Sequence, residues 1–547
     1  MFSGLISKFP DKYTPSSQQH NLIKNIEKAF DDGYKFVVCS APTGSGKSFI
    51  SKTLGNATKE ASESYTDLVT SYQIYKRTHT GGYAHASDIE EEEPYGTVAL
   101  TITKALQDQY KELFDDVAVL KGKSNYKCSY DENFTVEYAP CMYLKKLRDD
   151  CWSKDSCPYY KARNTAIVSK FATYNYNMFF SLPDEFKRRQ VMVCDEASEL
   201  EDQLVKEYTC TVNFSFLKKL ELPIFAFPNS DYGKAGKWVH TLYSNVVDKV
   251  DEITELIKAK EGKTVEKTLN ARKDDLIMLN GLRSKLKTLI ETWNQSEYLF
   301  ERDAKAITFI PLKVDKLAAN LFDHADKVIL MSATIIDPQN FCKGLGITKF
   351  KYIEAESTFD ASKAPIYANT KVKLNYANLQ SNLPKIVDQI KAICQSHKDE
   401  KGIIHTQTNT ITKYVQDNIP HDTRFLFREP GVKNEDLLDT HYNTSDPTVL
   451  VSPSMSHGVD LKGDLARFQI IIKAPYLPTK DIRVERMMKL DQSWYMNKML
   501  SSLIQSCGRG IRSQKDHCVT YILDGSIIEQ IIRNKAKIPK YFIDRFM

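Results

Sequence analysis

The sequence predicts an α/β fold of two lobes in tandem, and three observations carry that reading. A short apolar run, Phe36-Val37-Val38-Cys39, enters Ala41-Pro42-Thr43-Gly44-Ser45-Gly46-Lys47-Ser48 and continues into a helix-compatible stretch, 49–54. The second half repeats apolar strands at 402–405, 448–451, 468–472 and 519–523, none followed by a lysine-bearing glycine loop. Between the halves, two stretches break the α/β pattern, one rich in cysteine and one with helical periodicity. At 547 residues the chain exceeds a single core, and length alone suggests about three or four domains.

The elements follow in order. Residues 65–95 are poor in periodic apolar positions and carry Asp88-Ile89-Glu90-Glu91-Glu92-Glu93, which reads as a solvated loop. A strand at 97–102 leads into Thr103-Lys104-Ala105-Leu106-Gln107-Asp108-Gln109. Another apolar strand, 190–194, ends in Asp195-Glu196-Ala197-Ser198. Val239, Leu242, Val246, Val250, Ile253 and Ile257, then Leu279, Leu282, Leu286, Leu289 and Trp293, recur at helical spacing and predict a helical hairpin with an apolar core. The sheet pattern resumes at 327–331 and runs into Ser332-Ala333-Thr334.

Composition narrows the class. The net charge of +5 is too small to argue by itself for a polyanionic partner. No apolar run approaches the roughly 18 residues of a membrane helix, and residues 1–8 lack the apolar region of a secretion signal. Eleven cysteines without an export signal point to a reducing, cytoplasmic setting, with Cys39 and Cys194 as core residues at strand ends.

The chemistry concentrates at three places. Gly44 and Gly46 allow the backbone to curl so that successive N–H groups converge on a phosphate, and the following helix adds its partial positive charge. Lys47 can reach the β- and γ-phosphates, and the Ser48 hydroxyl can join a Mg²⁺ shell. Ala41 replaces the first glycine of the usual pattern at a position that needs only a small side chain. Asp195 suits the metal across from the loop, and Glu196 suits polarisation of an attacking water. In Gln505-Ser506-Cys507-Gly508-Arg509-Gly510-Ile511-Arg512, two arginines three apart can reach phosphate oxygens from the far side of a cleft.

With these motifs in order the chain resembles a superfamily 2 helicase, and more closely the iron–sulfur branch typified by DinG and XPD. The matched segments are 41–48, 101–109, 195–198, 332–334, Gly458-Val459-Asp460 and 505–512, with Leu120-Lys121-Gly122-Lys123-Ser124-Asn125-Tyr126-Lys127-Cys128 similar to the entry of the family's cluster domain. The resemblance implies two RecA-like lobes. It divides the first lobe into 1–120, 166–212 and 311–345, interrupted by an Fe–S domain at 121–165 and a helical arch at 213–310, and makes 346–547 the second lobe. It also implies Gln19, or Gln18, as the adenine contact, and Thr43, Gly458 and Asp460 beside the nucleotide. Two departures bear on coupling: Ser198 stands for the family's histidine, and His457 for an acid before Gly458. A third expectation is that no exonuclease domain precedes the first motif.

Cys128, Cys141, Cys151 and Cys157 are separated by 12, 9 and 5 residues, and Pro158 follows the last. Zinc usually takes close cysteine pairs, which are absent, whereas an iron–sulfur cluster also takes four thiolates. Spacing leaves cluster, zinc and unligated cysteines open; the resemblance implies a 4Fe–4S cluster. Lys121, Lys123, Lys127, Lys145, Lys146 and Arg148 could meet phosphates, and Tyr126, Tyr143, Trp152, Tyr159 and Tyr160 could stack on bases, while each taken singly reads as an ordinary surface or packing residue.

The reading is therefore an ATP- and Mg²⁺-dependent DNA helicase. It would be a 5′→3′ enzyme by resemblance, acting on single-stranded DNA and its junctions with duplex as a monomer, with single-strand-binding, repair or replication proteins as partners. A DNA-stimulated ATPase that strips proteins from DNA without unwinding uses the same cleft and stands as the alternative. A metabolic kinase is disfavoured, because it needs no second lobe bearing Gln505, Arg509 and Arg512.

Overall fold

The structure is a computed structural model that describes residues 2–42, 44–67, 69, 93–130, 132–139, 141, 157–228, 231–258, 263–355, 360–375, 377–419, 423–427, 434–453, 461, 463–508, 510 and 516–547. Its strands, in chain order, begin with β1 (Phe36–Ser40), β2 (Thr97–Thr101), β3 (Ala118–Leu120), β4 (Phe171–Asn175) and β5 (Arg189–Asp195). There follow β6 (Cys210–Asn213), β7 (Tyr298–Arg302), β8 (Ala306–Pro311), β9 (Ala325–Ser332) and β10 (Phe350–Glu354). The last six are β11 (Ile366–Tyr367), β12 (Gly402–His405), β13 (Phe425–Phe427), β14 (Val449–Ser452), β15 (Phe468–Ile471) and β16 (Val519–Ile522).

The first sheet is parallel throughout, in the order β10-β1-β9-β5-β2-β4-β3. Helices cover both faces, which is why its strands read as unbroken apolar runs. Val38, Val98, Leu100, Met192, Cys194, Val328 and Leu330 point into one core. Val37, Cys39, Ala99, Val191, Val193, Ile329 and Met331 fill the other. Burial pushes the thiols of Cys39 and Cys194 up to about 12, so both are core residues without nucleophilic character. Because β10 pairs with β1, the first sheet extends to Glu354, beyond the expected lobe boundary at 345. The strand is short and its exposed Lys351 and Glu354 conceal it from an apolar-run reading.

The second sheet is also parallel, in the order β11-β16-β15-β12-β14-β13. Gly402 opens β12 where a Cβ would lie 2.4 Å from the Phe468 ring of β15, so only glycine allows this strand pair to close.

Between β5 and β9 lies a unit made of helices Tyr232–Lys258 and Lys263–Thr292 and an antiparallel sheet, β6-β8-β7. Every residue from Val239 to Ile257 and from Leu279 to Leu289 that the periodicity marked is buried, in a core shared with Trp238, Phe227 and Phe309. The small sheet was not anticipated; its strands alternate or are partly exposed and carry few apolar residues in a row. Among the described residues no helix is long and apolar enough to cross a membrane.

The cysteine-bearing segment is tied to the first sheet by Arg189, which is almost wholly buried. Its guanidinium donates to the carbonyls of Ala166 (3.1 Å) and Ile167 (2.9 Å), at the end of the helix Pro158–Val168 that starts just after Cys157. The same strand, β5, ends in Asp195.

Candidate functional site

In a parallel sheet every strand ends at the same edge, and that edge is where ligands bind in open α/β folds. The order β1-β9-β5 brings three sequence motifs together there: the loop after β1, Ser332-Ala333-Thr334 at the end of β9, and Asp195-Glu196 at the end of β5. The register sets Ser40 beside Ser332 and Asp195 beside Met331. The Ala41 N–H donates to the Ser332 carbonyl at 2.9 Å, stitching the loop to β9.

The loop curls as expected. Gly44 and Gly46 have φ of 79° and 78°, a left-handed backbone that other residues rarely adopt. Gly46 caps helix Lys47–Ala57 and faces the Gln19 amide, whose nitrogen lies 2.1 Å from where a Cβ would stand. Gln19 is held in that position by a reciprocal capping box with Ser16. The Ser45 hydroxyl is buried and has no hydrogen-bond partner among the described residues, a group suited to a phosphate oxygen. Ser48 lies beside Tyr110, whose hydroxyl donates to Ser51 at 3.0 Å.

Lys47 Nζ lies 3.6 Å from Glu196 Oε1, and its side chain is nearly buried. Asp195 is buried; desolvation lifts its carboxyl to about 6, with Lys47 pulling the other way and Glu196 adding to the rise. Its Oδ1 accepts the Glu196 N–H at 3.0 Å. Glu196 itself sits at φ 50°, a left-handed conformation that costs a non-glycine residue about 1–3 kcal/mol and collects at functional sites. That twist turns its carboxylate back toward the loop.

The other Glu196 oxygen accepts from the Ser332 hydroxyl at 3.4 Å. Ser332 and Ser198 hydroxyls are 2.9 Å apart, and Thr334 donates to Ser198 at 3.0 Å. Ser198, where the family pattern has histidine, thus belongs to a chain of small hydroxyls ending on Glu196. No charge is needed for that link.

The second lobe meets this edge through helix Gln492–Cys507. Ser501 donates to the Thr334 carbonyl at 3.2 Å, and Gln505 Nε2 donates to Glu199 Oε1 at 3.3 Å. The Gln505 carbonyl oxygen is buried without a partner among the described residues.

A contact that the sequence did not reveal holds the lobes side by side. Glu201 receives Arg483 at 2.5 Å, Lys498 at 3.3 Å and the Trp494 indole N–H at 2.9 Å. Burial alone would raise the Glu201 carboxyl, but Lys498 and Arg483 outweigh it and bring it down to about 2. Leu312 packs with Val484, Met487 and Trp494 beside this cluster. Glu201 and Arg483 are 282 positions apart, so no local pattern joins them.

Thr43, Gly458, Asp460, His457, Arg509 and Arg512 lie outside the described residues. So do Cys151, Tyr143, Trp152, Lys145, Lys146 and Arg148. Cys128, Cys141 and Cys157 are buried and form no disulfide. Cys128 and Cys141 pack together around Ala139, and Cys141 and Cys157 both act on the Tyr160 phenol. Among the described residues no group of three or more histidine, cysteine or acidic side chains is arranged to hold a metal ion.

Of the aromatic residues proposed for base stacking, the described ones, Tyr126, Tyr159 and Tyr160, pack against one another. Tyr159 is buried in the first-lobe core, edge-on to Tyr126 at 5.6 Å and to Tyr160 at 5.2 Å. They pack the segment together. Lys121 pairs with Asp108 at 2.5 Å, and Lys123 sits 5.6 Å over the Tyr159 ring.

Comparison with known proteins agrees with this geometry. Residues 404–542 match the family described as "Helicase C-terminal domain". A solved structure named XPD helicase superposes with a TM-score of 0.61, at 16% identity, over 98% of this chain and 99% of its own. The chain has the fold of the XPD helicases. An apo XPD structure gives a TM-score of 0.56 at 14% identity, covering 94% of this chain and 98% of its own. Xpd4 of S. tokodaii gives 0.52 at 14% identity, with 97% and 99% covered. No curated protein matches the sequence.

Proposed function

We propose that the chain is an ATP-dependent DNA helicase of the DinG/XPD kind, moving 5′→3′ on single strands. The observation that carries the ATP-hydrolysing part of this reading is the contact of Lys47 with Glu196, at the sheet edge where Ser332 and the second-lobe helix also converge, while DNA as substrate and the direction rest on the resemblance. Lys47 is placed to exchange Glu196 for phosphate oxygens, which frees the carboxylate to orient a water. Ser332 then keeps Glu196 from swinging away. A hydroxyl, Ser48, and the buried Asp195 carboxylate suit Mg²⁺ by donor type, and the ion would neutralise charge on the phosphates. Arg509 and Arg512 would reach the nucleotide from the second lobe, and closure of the cleft around ATP would become lobe movement. Opening one base-pair step costs on average about 1.4 kcal/mol, within reach of one ATP per step.

Arg509→Ala and Arg512→Ala should lower kcat by roughly 10³-fold with a modest change in ATP affinity, as when an arginine finger is removed. Steady-state turnover beside nucleotide-binding measurements checks this. Weak binding with preserved kcat would make both arginines simple binding residues.

Cys128, Cys141, Cys151 and Cys157 are the thiols that would hold a 4Fe–4S cluster. What supports it is the donor set, with three of the four buried within one small segment that has little apolar core of its own. The cluster would act as a staple there. Protein purified without oxygen should be yellow-brown with about four irons per chain. Serine at any of the four cysteines should bleach it and abolish unwinding while part of the ATPase survives. Zinc in anaerobic protein would overturn the assignment.

The alternative, a translocase that displaces proteins without separating strands, is separated from the helicase by running strand-displacement and protein-displacement assays on the same DNA.

A further inference from the structure

We infer that Tyr541 is a positioning residue of the hydrolytic site, holding Glu196 in register through the backbone of Ser332-Ala333-Thr334. The inference rests on the reading of Lys47, Asp195 and Glu196 as an ATP-hydrolysing centre.

Residues 535–547 form a strap whose Ile538 and Phe542 pack in the second-lobe core while Lys537 and Tyr541 reach the first lobe. Its Tyr541 hydroxyl donates to the Ala333 carbonyl, the middle residue of the three at the end of β9. The residue before Ala333 donates to Glu196, and the residue after it anchors the Ser198 hydroxyl. Four residues before Tyr541, Lys537 pairs with Asp337 at 2.9 Å, a second point where the strap grips the first lobe. Asp337 caps helix Pro338–Gly344, so the pair clamps the chain directly beyond Thr334.

The other side of the strap is tied to the second-lobe motif. Arg545 is buried and donates to the Cys507 carbonyl at 3.2 Å, at the end of the helix that leads into Gly508-Arg509-Gly510-Ile511-Arg512. It also donates to the Ala364 carbonyl at 2.8 Å. Phe542 is fully buried against Leu503, Ile504 and Cys507 of the same helix, in a cluster that includes Ile336 from the first lobe. One short segment therefore links the end of helix Gln492–Cys507, which Arg509 and Arg512 follow in sequence, to the residues that hold Glu196. Burial raises the Tyr541 phenol, opposed by Arg545 and reinforced by nearby Glu196, so the hydroxyl remains a donor at working pH.

The hydrogen bond is directional and short-ranged, so movement of the second lobe would be felt at Ala333 before it reaches Glu196. A phenylalanine in place of Tyr541 keeps the ring packing and removes only the donor. In the full chain, Tyr541→Phe should lower kcat for ATP with saturating single-stranded DNA about tenfold, a loss of about 1.4 kcal/mol of transition-state stabilisation. KM for ATP should change by less than about twofold, because ground-state binding does not use this bond. The thermal midpoint should stay at the wild-type value. Lys537→Ala, which leaves the hydroxyl in place, should show a smaller loss in the same direction.

Three results overturn the inference: wild-type kcat in Tyr541→Phe, a raised KM with kcat preserved, or a lowered thermal midpoint that accounts for the loss. A wild-type chain that turns over no ATP overturns the hydrolytic reading, and this inference with it. Hydrolysis by wild type at a rate equal to the variant's overturns this inference alone.

Discussion

Lys47→Ala is expected to abolish ATP turnover, a fall of at least roughly 10²–10³-fold, the scale seen when one electrostatic stabiliser of a reacting group is removed. Lys47 is the cation whose ammonium faces the end of the Asp195-Glu196 strand, and its aliphatic stem is nearly buried at the start of helix Lys47–Ala57. Without it, the loop N–H groups would still face the phosphates, but the ammonium's share in neutralising the charge that grows during transfer, beside that of the ion and the second-lobe arginines, would be gone. The side chain also counters the desolvation of Asp195, so its loss should raise that carboxyl further. Turnover measured from phosphate release checks this; a rate near wild type would remove the phosphate loop from the reaction.

Glu196→Gln should separate binding from hydrolysis. The amide has nearly the same shape and can still meet the Ser332 hydroxyl, so the loop and the lobe contact should survive. What is lost is the negative charge that orients and polarises water, an effect worth roughly 10²–10⁴-fold in a positioned base. The expected phenotype is wild-type or tighter ATP affinity, almost no product, and a protein that stays on single-stranded DNA. Equilibrium nucleotide binding alongside single-turnover hydrolysis distinguishes this from misfolding. Normal hydrolysis would assign the water to another residue.

What was legible in the sequence follows from the range of each signal. The phosphate loop is contiguous, and its strand–loop–helix order is fixed by eight residues. The long buried strands β5 and β9 show as unbroken apolar runs because both faces of a parallel sheet are covered. The interleaved helices between β6 and β7 show through their 3.6-residue period. Strands β3, β11 and β13 have three residues or fewer, and β10 is half exposed, so none gives a periodic signal.

At the site, Lys47, Asp195, Glu196 and Gln505 could be read from residue type and order, and the structure brings them to one edge. The supporting contacts could not. Glu201 with Arg483, Trp494 and Lys498 joins positions nearly 300 apart, and the charge balance that lowers the Glu201 carboxyl exists only after the lobes meet. Ser198 illustrates the same limit. Its identity suggested a lost charged contact, while its surroundings give it two hydroxyl partners, Ser332 and Thr334. For Tyr126 and Tyr159, aromatic type left stacking on bases and ordinary packing both open, and their edge-on contact against the first-lobe core is a packing one.

The most direct test of the account is unwinding measured together with ATP turnover on three substrates: a duplex with a 5′ single-stranded tail, the same duplex with a 3′ tail, and an RNA–DNA hybrid. The account predicts ATP turnover stimulated by single-stranded DNA and strand separation from the 5′-tailed duplex, with both lost in Lys47→Ala. ATP turnover indifferent to DNA, with no strand separated from any of the three, would contradict it.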